Sequence, residues 1–381
     1  MKKERIVVKI GSSSLTRPDG SLSRSQLNHY VKEIASLRAL GHEVILISSG
    51  AVAAGFGGLK YPSRPVTLPG KQAAAAVGQG LLMQAYTEAF DEYDIETGQI
   101  LLTRSNFSNK EQYQNAYATL TELLRRGVLP IINENDSIAV DELTFGDNDM
   151  LSALVGGLVH ADCLLIVTDI NGIYDANPKE SENAKKYHFI TEITEELYKE
   201  AGDAGSNVGT GGMRSKLEAA ETALNLGLRV FIGVADQEGS FMDIMEGKGD
   251  GTYIGFSGQF ILTNKKQWLL LHSLPAGEVY IDDGAKKALL HKGKSLLPVG
   301  VIKVTGYFER GAVVEVKDEK GNLLGKGQVN MSFEELEAIK GKSTQEASEQ
   351  IDMKRPEVIH RDDWVDITKE RFKYEHYDGT R

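Results

Sequence analysis

Short unbroken apolar runs alternate with amphipathic stretches through the first 260 residues of the chain. The runs are Ile6–Ile10, Val44–Ser48, Thr97–Leu102, Leu129–Asn133, Cys163–Thr168 and Arg229–Gly233. They predict buried strands, because apolar side chains on both faces suit a sheet that is covered on both sides. Between them, helical periods run over Ser25–Ala39, Lys71–Phe90, Glu111–Arg126, Asn148–Val159 and Lys216–Leu226. This alternation predicts an α/β fold, a three-layer αβα sandwich around a mainly parallel sheet. The alanine run Ala73–Ala76 favours helix and permits close helix packing.

The pattern changes near residue 260. Short strand-like runs follow at Gly277–Ile281, Leu296–Pro298, Gly300–Thr305, Ala312–Lys317 and Leu324–Gln328, with a helix near Asp283–Leu290. The polar stretch Lys317–Asn322 reads as a hairpin turn. These features predict a small β-rich, barrel-like second domain. The expected division is a first domain over 1–260, a second over 276–354 and a charged, loosely ordered tail over 355–381.

Composition narrows the class. The 381 residues are 41% hydrophobic and 25% charged, as in ordinary globular proteins. A formal net charge of −11 weighs against general nucleic-acid affinity. The single cysteine, Cys163, excludes an internal disulfide framework, suits a reducing compartment and reads as a core residue. Lys2, Lys3, Glu4 and Arg5 lead straight into a strand, and no apolar run approaches the ~20 residues that span a bilayer. A cytoplasmic protein without a membrane partner is expected.

Four clusters carry candidate chemistry. Strand Ile6–Ile10 holds Lys9 at its end and empties into Gly11-Ser12-Ser13-Ser14. A strand lysine is hard to explain as packing, because lysine is rarely buried without a partner. The second strand empties into Ser48-Ser49-Gly50-Ala51, a turn of the kind that meets ligands at strand carboxyl ends. Third, Asn133-Glu134-Asn135-Asp136-Ser137 precedes Asp147-Asn148-Asp149 at a helix start; capping explains one acidic residue there but not the whole stretch. Fourth, Gly209-Thr210-Gly211-Gly212-Met213-Arg214-Ser215-Lys216 is a glycine-rich turn whose amides can approach an anion, although a surface loop would look the same. The phosphate-loop pattern is absent: Ala288 and Leu336 stand where the first glycine is needed before Gly293-Lys294-Ser295 and Gly341-Lys342-Ser343. The histidines show no metal-ligand spacing.

Lysines at two anion-binding turns, an acidic cluster and a parallel sheet suggest phosphoryl transfer. Six motifs then occur in order: Lys9-Ile10-Gly11-Ser12, Ser48-Ser49-Gly50-Ala51-Val52, Asn133-Glu134-Asn135-Asp136, Gly146-Asp147-Asn148-Asp149, Thr168-Asp169-Ile170-Asn171-Gly172-Ile173-Tyr174 and Gly209-Thr210-Gly211-Gly212-Met213. Together they resemble the amino acid kinase superfamily and, within it, the glutamate 5-kinase family. The β-rich segment resembles a PUA domain.

The resemblance implies formation of L-glutamyl 5-phosphate from L-glutamate and ATP, the first step of proline synthesis. It implies that Lys9 and Lys216 neutralise the transferring phosphoryl group and that Asp149 holds them. Ser49, Gly50, Ala51, Asn133, Asp136 and Asn148 would line the glutamate site. Thr168, Asp169, Thr210, Gly211, Gly212, Met213, Arg214, Ser215 and Lys216, together with Lys9, would hold ATP, with Mg²⁺ bridging its phosphates. It also implies a homo-oligomer, dimer or tetramer, and L-proline as feedback inhibitor. Proline shares the α-carboxylate and amino nitrogen of glutamate, so competition at Ser49–Ala51 and Asp136 is the expected physical route; the loop Tyr61–Gly70 reads either as a cover over that site or as a solvent-exposed connector. Two alternatives remain: a sibling kinase for N-acetylglutamate, aspartate, carbamate or a nucleoside monophosphate, and an RNA-binding protein. RNA is not the expected partner, because residues 276–354 hold 12 Lys+Arg against 13 Asp+Glu.

Overall fold

The computed structural model describes residues 3–17, 19–61, 63–138, 148–176, 178, 181, 184–202, 212–255, 269, 273, 275–351 and 355–367. The chain divides into two compact units, one of residues 1–106 and 111–261, the other of 107–110 and 262–381.

The strands of the first unit are β1 (Arg5–Ile10), β2 (Glu43–Ser48), β3 (Thr97–Leu102), β4 (Leu129–Glu134), β5 (Cys163–Val167), β6 (Ile173–Tyr174), β7 (Lys186–Tyr187), β8 (Phe189–Ile190), β9 (Arg229–Gly233) and β10 (Gly251–Ile254). The helices up to residue 261 include α1 (Ser12–Leu15), α2 (Arg24–Ala39), α3 (Ala51–Gly55), α4 (Leu68–Asp91), α5 (Arg104–Ser108), α6 (Lys110–Arg125), α7 (Asn148–Leu158), α8 (Glu195–Gly202), α9 (Met213–Asn225) and α10 (Ser240–Met245), of which α5 and α6 include residues of the 107–110 segment. Eight strands form one sheet in the order β3-β4-β2-β1-β5-β9-β10-β8. Every neighbouring pair is parallel except β9 with β10. The strands expected from the apolar runs all appear, with ends moved by at most one residue. β1 shows why such runs make central strands: Ile6, Val7, Val8 and Ile10 are all fully buried.

Two helices set the geometry behind β2. Ser23 caps α2, and its Leu27, Tyr30, Val31, Ile34 and Leu37 enter the core. α4 lies against α3 so closely that glycine is required at the crossing. A methyl group on Gly78 would stand 1.8 Å from the Ala51 carbonyl oxygen, and one on Gly55 2.0 Å from that of Ala74. The alanine run thus supplies the Ala74 carbonyl to this crossing, and Ala74 and Ala75 are both buried. Cys163 is buried in β5, where burial pushes its thiol up to about 12, as for a core residue.

The second unit contains β11 (Gly277–Ile281), α11 (Asp283–Lys292), β12 (Val301–Gly306), β13 (Val313–Asp318), β14 (Leu323–Val329), α12 (Phe333–Ile339), α13 (Thr344–Ser348) and β15 (Ile359–Asp366). Its sheet runs β12-β11-β13-β14-β15 around a core that includes Val279, Ile281, Val314, Val316 and Trp364. A bridge between Leu296 and Ile359 draws the start of β15 back toward the segment that leads into β12. The 317–322 turn forms as expected: Asp318 accepts from the backbone N–H groups of Lys320 and Asn322, with Gly321 at φ +83°. Two expectations are corrected. Pro298–Gly300 is a short 3₁₀ turn rather than the end of a strand, since proline there carries no N–H for a ladder. The segment from 355 is not simply a loose tail, because Ile359, Trp364 and Val365 are buried and residues 359–366 pair with β14.

Candidate active site

Because β1, β2, β4 and β5 run parallel and adjacent, their carboxyl ends share one edge of the sheet. Lys9 is paired in register with Ile47 on one side and Ile166 on the other, so it sits one residue inside that edge. It is 2% exposed, and its ammonium group contacts Asp149 Oδ1. A methyl group on Gly11 would lie 3.7 Å from Lys9 Nζ, so the turn after β1 brings bare backbone beside the charge. Asp149, fully buried in the first turn of α7, also accepts from Lys216 Nζ at 3.0 Å through its other oxygen. Lys216 lies in the first turn of α9 and is buried too. One carboxylate from α7 therefore spaces two ammonium groups from β1 and α9. Together the three carry a net positive charge, an arrangement suited to a polyanion entering at the sheet edge.

A second network adjoins it on α7. Asn148 Nδ2 donates toward the Ser48 carbonyl (2.8 Å), Ser49 Oγ (2.9 Å) and Asn133 Oδ1 (2.8 Å). This links the ends of β2 and β4. Gly50, at φ +102°, turns the chain from β2 into α3 and places Ala51 in its first position. Asp136, half-buried beyond β4, makes no direct hydrogen bond to this network among the described residues; burial pushes its carboxyl up to about 6, against a downward pull from Arg64. That pull places Arg64, in the 61–70 loop, within electrostatic reach of Asp136. The end of the same loop is helix, since Thr67 caps α4 at Gly70 N–H.

On the other side of Lys9, Thr168 is buried and exposed Asp169 follows it. Asp169 accepts from Thr168 Oγ1 at 3.2 Å and from Ser13 Oγ at 3.5 Å, joining the turns after β5 and β1. Gly212 precedes α9; Arg214 points outward to Glu218, and Ser215 Oγ donates to the Gly212 carbonyl. Thr210 and Gly211 lie outside the described residues, as does Phe145–Asp147. The structure thus brings Lys9, Lys216 and Asp149 together, and Ser49, Asn133 and Asn148 together. Among the described residues no three His, Cys, Asp or Glu side chains converge as a protein-built metal site requires.

Sequence reasoning missed two participants. Gln79 of α4 accepts from Asn133 Nδ2 at 2.8 Å. Tyr86, fully buried one helical face along, shares a hydrogen bond with Ser48 Oγ at 2.9 Å. The available signal for Gln79 was one amide between Gly78 and Gly80 in an otherwise small, apolar stretch of helix.

The amino acid kinase family matches residues 4–233. This chain belongs to the amino acid kinase family. Its closely similar relatives place it in the glutamate 5-kinase branch. The glutamate 5-kinase of Bacillus cereus (strain ATCC 10987 / NRS 248) is 60% identical over 367 residues, covering 96% of this chain and 100% of that protein. Glutamate 5-kinase 1 of Bacillus subtilis (strain 168) is 58% identical over 368 residues, with the same coverage of 96% and 100%. A PUA domain matches residues 277–350. Among solved structures, carbamate kinase from Giardia lamblia bound to AMP-PNP aligns with TM-score 0.50 and 18% identity over 66% of this chain and 98% of that one, a likeness of fold alone.

Proposed function

We propose that this amino acid kinase transfers the terminal phosphoryl group of ATP to the side-chain carboxylate of L-glutamate, giving L-glutamyl 5-phosphate and ADP. The observation that carries the reading is the buried Lys9–Asp149–Lys216 arrangement beside the Asn148–Ser49–Asn133 network. A carboxylate oxygen of glutamate attacks the γ-phosphorus, the bond to the β–γ bridging oxygen breaks, and that oxygen leaves with the electron pair on ADP. The acceptor is already ionised at neutral pH, so no general base is needed. What the chain supplies is alignment and charge. Lys9 and Lys216 stabilise negative charge on the transferring group and the leaving oxygen, and Asp149 keeps the two ammonium groups apart and oriented.

In this reading Ser49, Gly50, Ala51, Asn133, Asp136 and Asn148 hold the amino acid, with Asp136 facing its ammonium group. Thr168, Asp169 and residues 210–216 hold the nucleotide. Mg²⁺ would travel with the nucleotide, held mainly by phosphate oxygens, as is usual for that ion; no step above depends on it. L-Proline, which keeps the α-carboxylate and amino nitrogen but lacks the side-chain carboxylate, would compete at the amino-acid site. We further place the enzyme in the cytoplasm, divide it at 260 and 276 into catalytic and PUA domains, and read it as a homo-oligomer. No helix among the described residues is long and apolar enough to cross a membrane.

The test is ATP-dependent ADP release over a panel of amino acids. Release should require L-glutamate; equal turnover with N-acetylglutamate or aspartate would sink the assignment. Proline inhibition should weaken as glutamate rises, whereas inhibition that stays constant at saturating glutamate would place proline elsewhere.

A further inference from the structure

An amide side chain looks the same to most measurements in its two flipped forms, so its orientation has to come from its neighbours. Here it can be read from atoms whose roles are not in doubt. The backbone N–H of Glu134 donates to Asn133 Oδ1 at 2.9 Å, and a backbone N–H can only donate. The oxygen of Asn133 is thereby fixed, and its Nδ2 must face Gln79. The atom of Gln79 that receives this N–H must be its oxygen. Its Nε2, with two donor hydrogens, is therefore turned away from Asn133 and finds no hydrogen-bond partner among the described residues. On the far side, the Ser48 carbonyl can only accept, which fixes Asn148 Nδ2 on it and agrees with the orientation assigned to Asn133.

The network thus has a polarity. Asn148 Nδ2 shares its two hydrogens among the Ser48 carbonyl, Asn133 Oδ1 and Ser49 Oγ, and an amide nitrogen cannot accept, so the Ser49 hydroxyl hydrogen must point away from it and is available to donate elsewhere. Ser49 and Gln79 thus each keep a hydrogen to donate, at the two ends of the Asn148–Asn133 pair. A pair of outward donors fits a carboxylate and repels an ammonium group.

We infer that Gln79 is a specificity-determining residue of the amino-acid site, donating an Nε2–H to a carboxylate of the bound amino acid. This rests on the proposed glutamate kinase reading. It explains a lone amide in the small-residue stretch of α4, at a point where the helix is held by the close crossing at neighbouring Gly78.

The decisive variant is Gln79→Glu. Its carboxylate still accepts from Asn133 but has no hydrogen to donate, and it places negative charge where the substrate carboxylate would sit. A side chain that only braced Asn133 would tolerate this change. The expected result is a roughly 10- to 100-fold rise in KM for glutamate, as lost hydrogen bonds to charged groups commonly give, with KM for ATP within about twofold of the parent. Glutamate KM unchanged within about twofold would overturn the inference. If Gln79→Glu does not fold, Gln79→Met is compared in the parent and in an Asn133→Ala background, where there is no Asn133 amide left to brace: a further roughly tenfold rise in glutamate KM at constant ATP KM in that background supports the inference, and no further rise overturns it. Parent enzyme assayed alongside separates the two levels. Parent turnover with glutamate combined with an unaffected variant refutes the role of Gln79 alone, whereas a parent inactive on glutamate refutes the reading on which it rests.

Discussion

At the scale of single residues, charge is where burial and function meet. Two lysines and an aspartate lie almost wholly out of water, which is tolerable only because they face one another. Lys9→Met and Lys216→Met should each lower kcat by about 10²–10³-fold, the range for removing one donor that stabilises transition-state charge. Circular dichroism should show them folded; loss of fold with no separable catalytic defect would mean the lysines serve packing. Asp149→Asn should cost more stability than either lysine variant, because it leaves two buried ammonium groups without the carboxylate between them. Asp136 gives a pH signature. Its carboxyl, raised to about 6 by burial, keeps its proton longer in the folded chain than in the unfolded one. Between about pH 4 and 6 the folded state therefore binds more protons, so stability falls as pH rises through that window. Asp136→Asn should flatten this slope. Glutamate affinity should weaken below pH 6, as the carboxylate that faces the ammonium group is neutralised; affinity that is flat from pH 5 to 7.5 would remove Asp136 from the site.

At the scale of elements, the strands were readable because buried parallel strands are continuous apolar runs, and β1, β2, β4 and β5 stood out on that ground alone. Helix ends were less clear: α9 begins at Met213, three residues before the expected start, because Gly212 marks its entry and Arg214 and Ser215 are polar. Helices α12 and α13 were not read from the pattern, although Ser332 with Glu335 and Ser343 with Glu346 form capping boxes that announce them. The alanine run hinted at close helix packing, but the partner of α4 was not legible, since alanine and glycine do not say which backbone they meet. The α3–α4 crossing yields a sharp contrast on one helix. Gly78→Ala should cost about 2 kcal/mol or more, because a methyl there collides with the Ala51 carbonyl. Gly80→Ala, where a methyl group meets nothing within 4 Å, should stabilise by about 0.5–1 kcal/mol. Thermal melts of the two variants check both signs, and equal melting points would mean that the helices separate freely.

At the scale of the whole molecule, the lysines and Asp149 could be placed together only through the resemblance to a family pattern; spacing alone does not say that positions 9, 149 and 216 meet. Every candidate reactive residue lies in the first unit. A chain ended after Ile261 should therefore keep measurable glutamate-dependent turnover, and a soluble, folded truncation without activity would show that the PUA region completes the site. The bridging carboxylate of Asp149 has one more consequence, and it concerns time. Its two partners lie 67 residues away in one direction and on the first strand in the other, so no short segment can assemble the site early. Contacts of such long sequence separation form late and slowly, after extensive loop closure. During refolding, secondary structure should thus return well before turnover does.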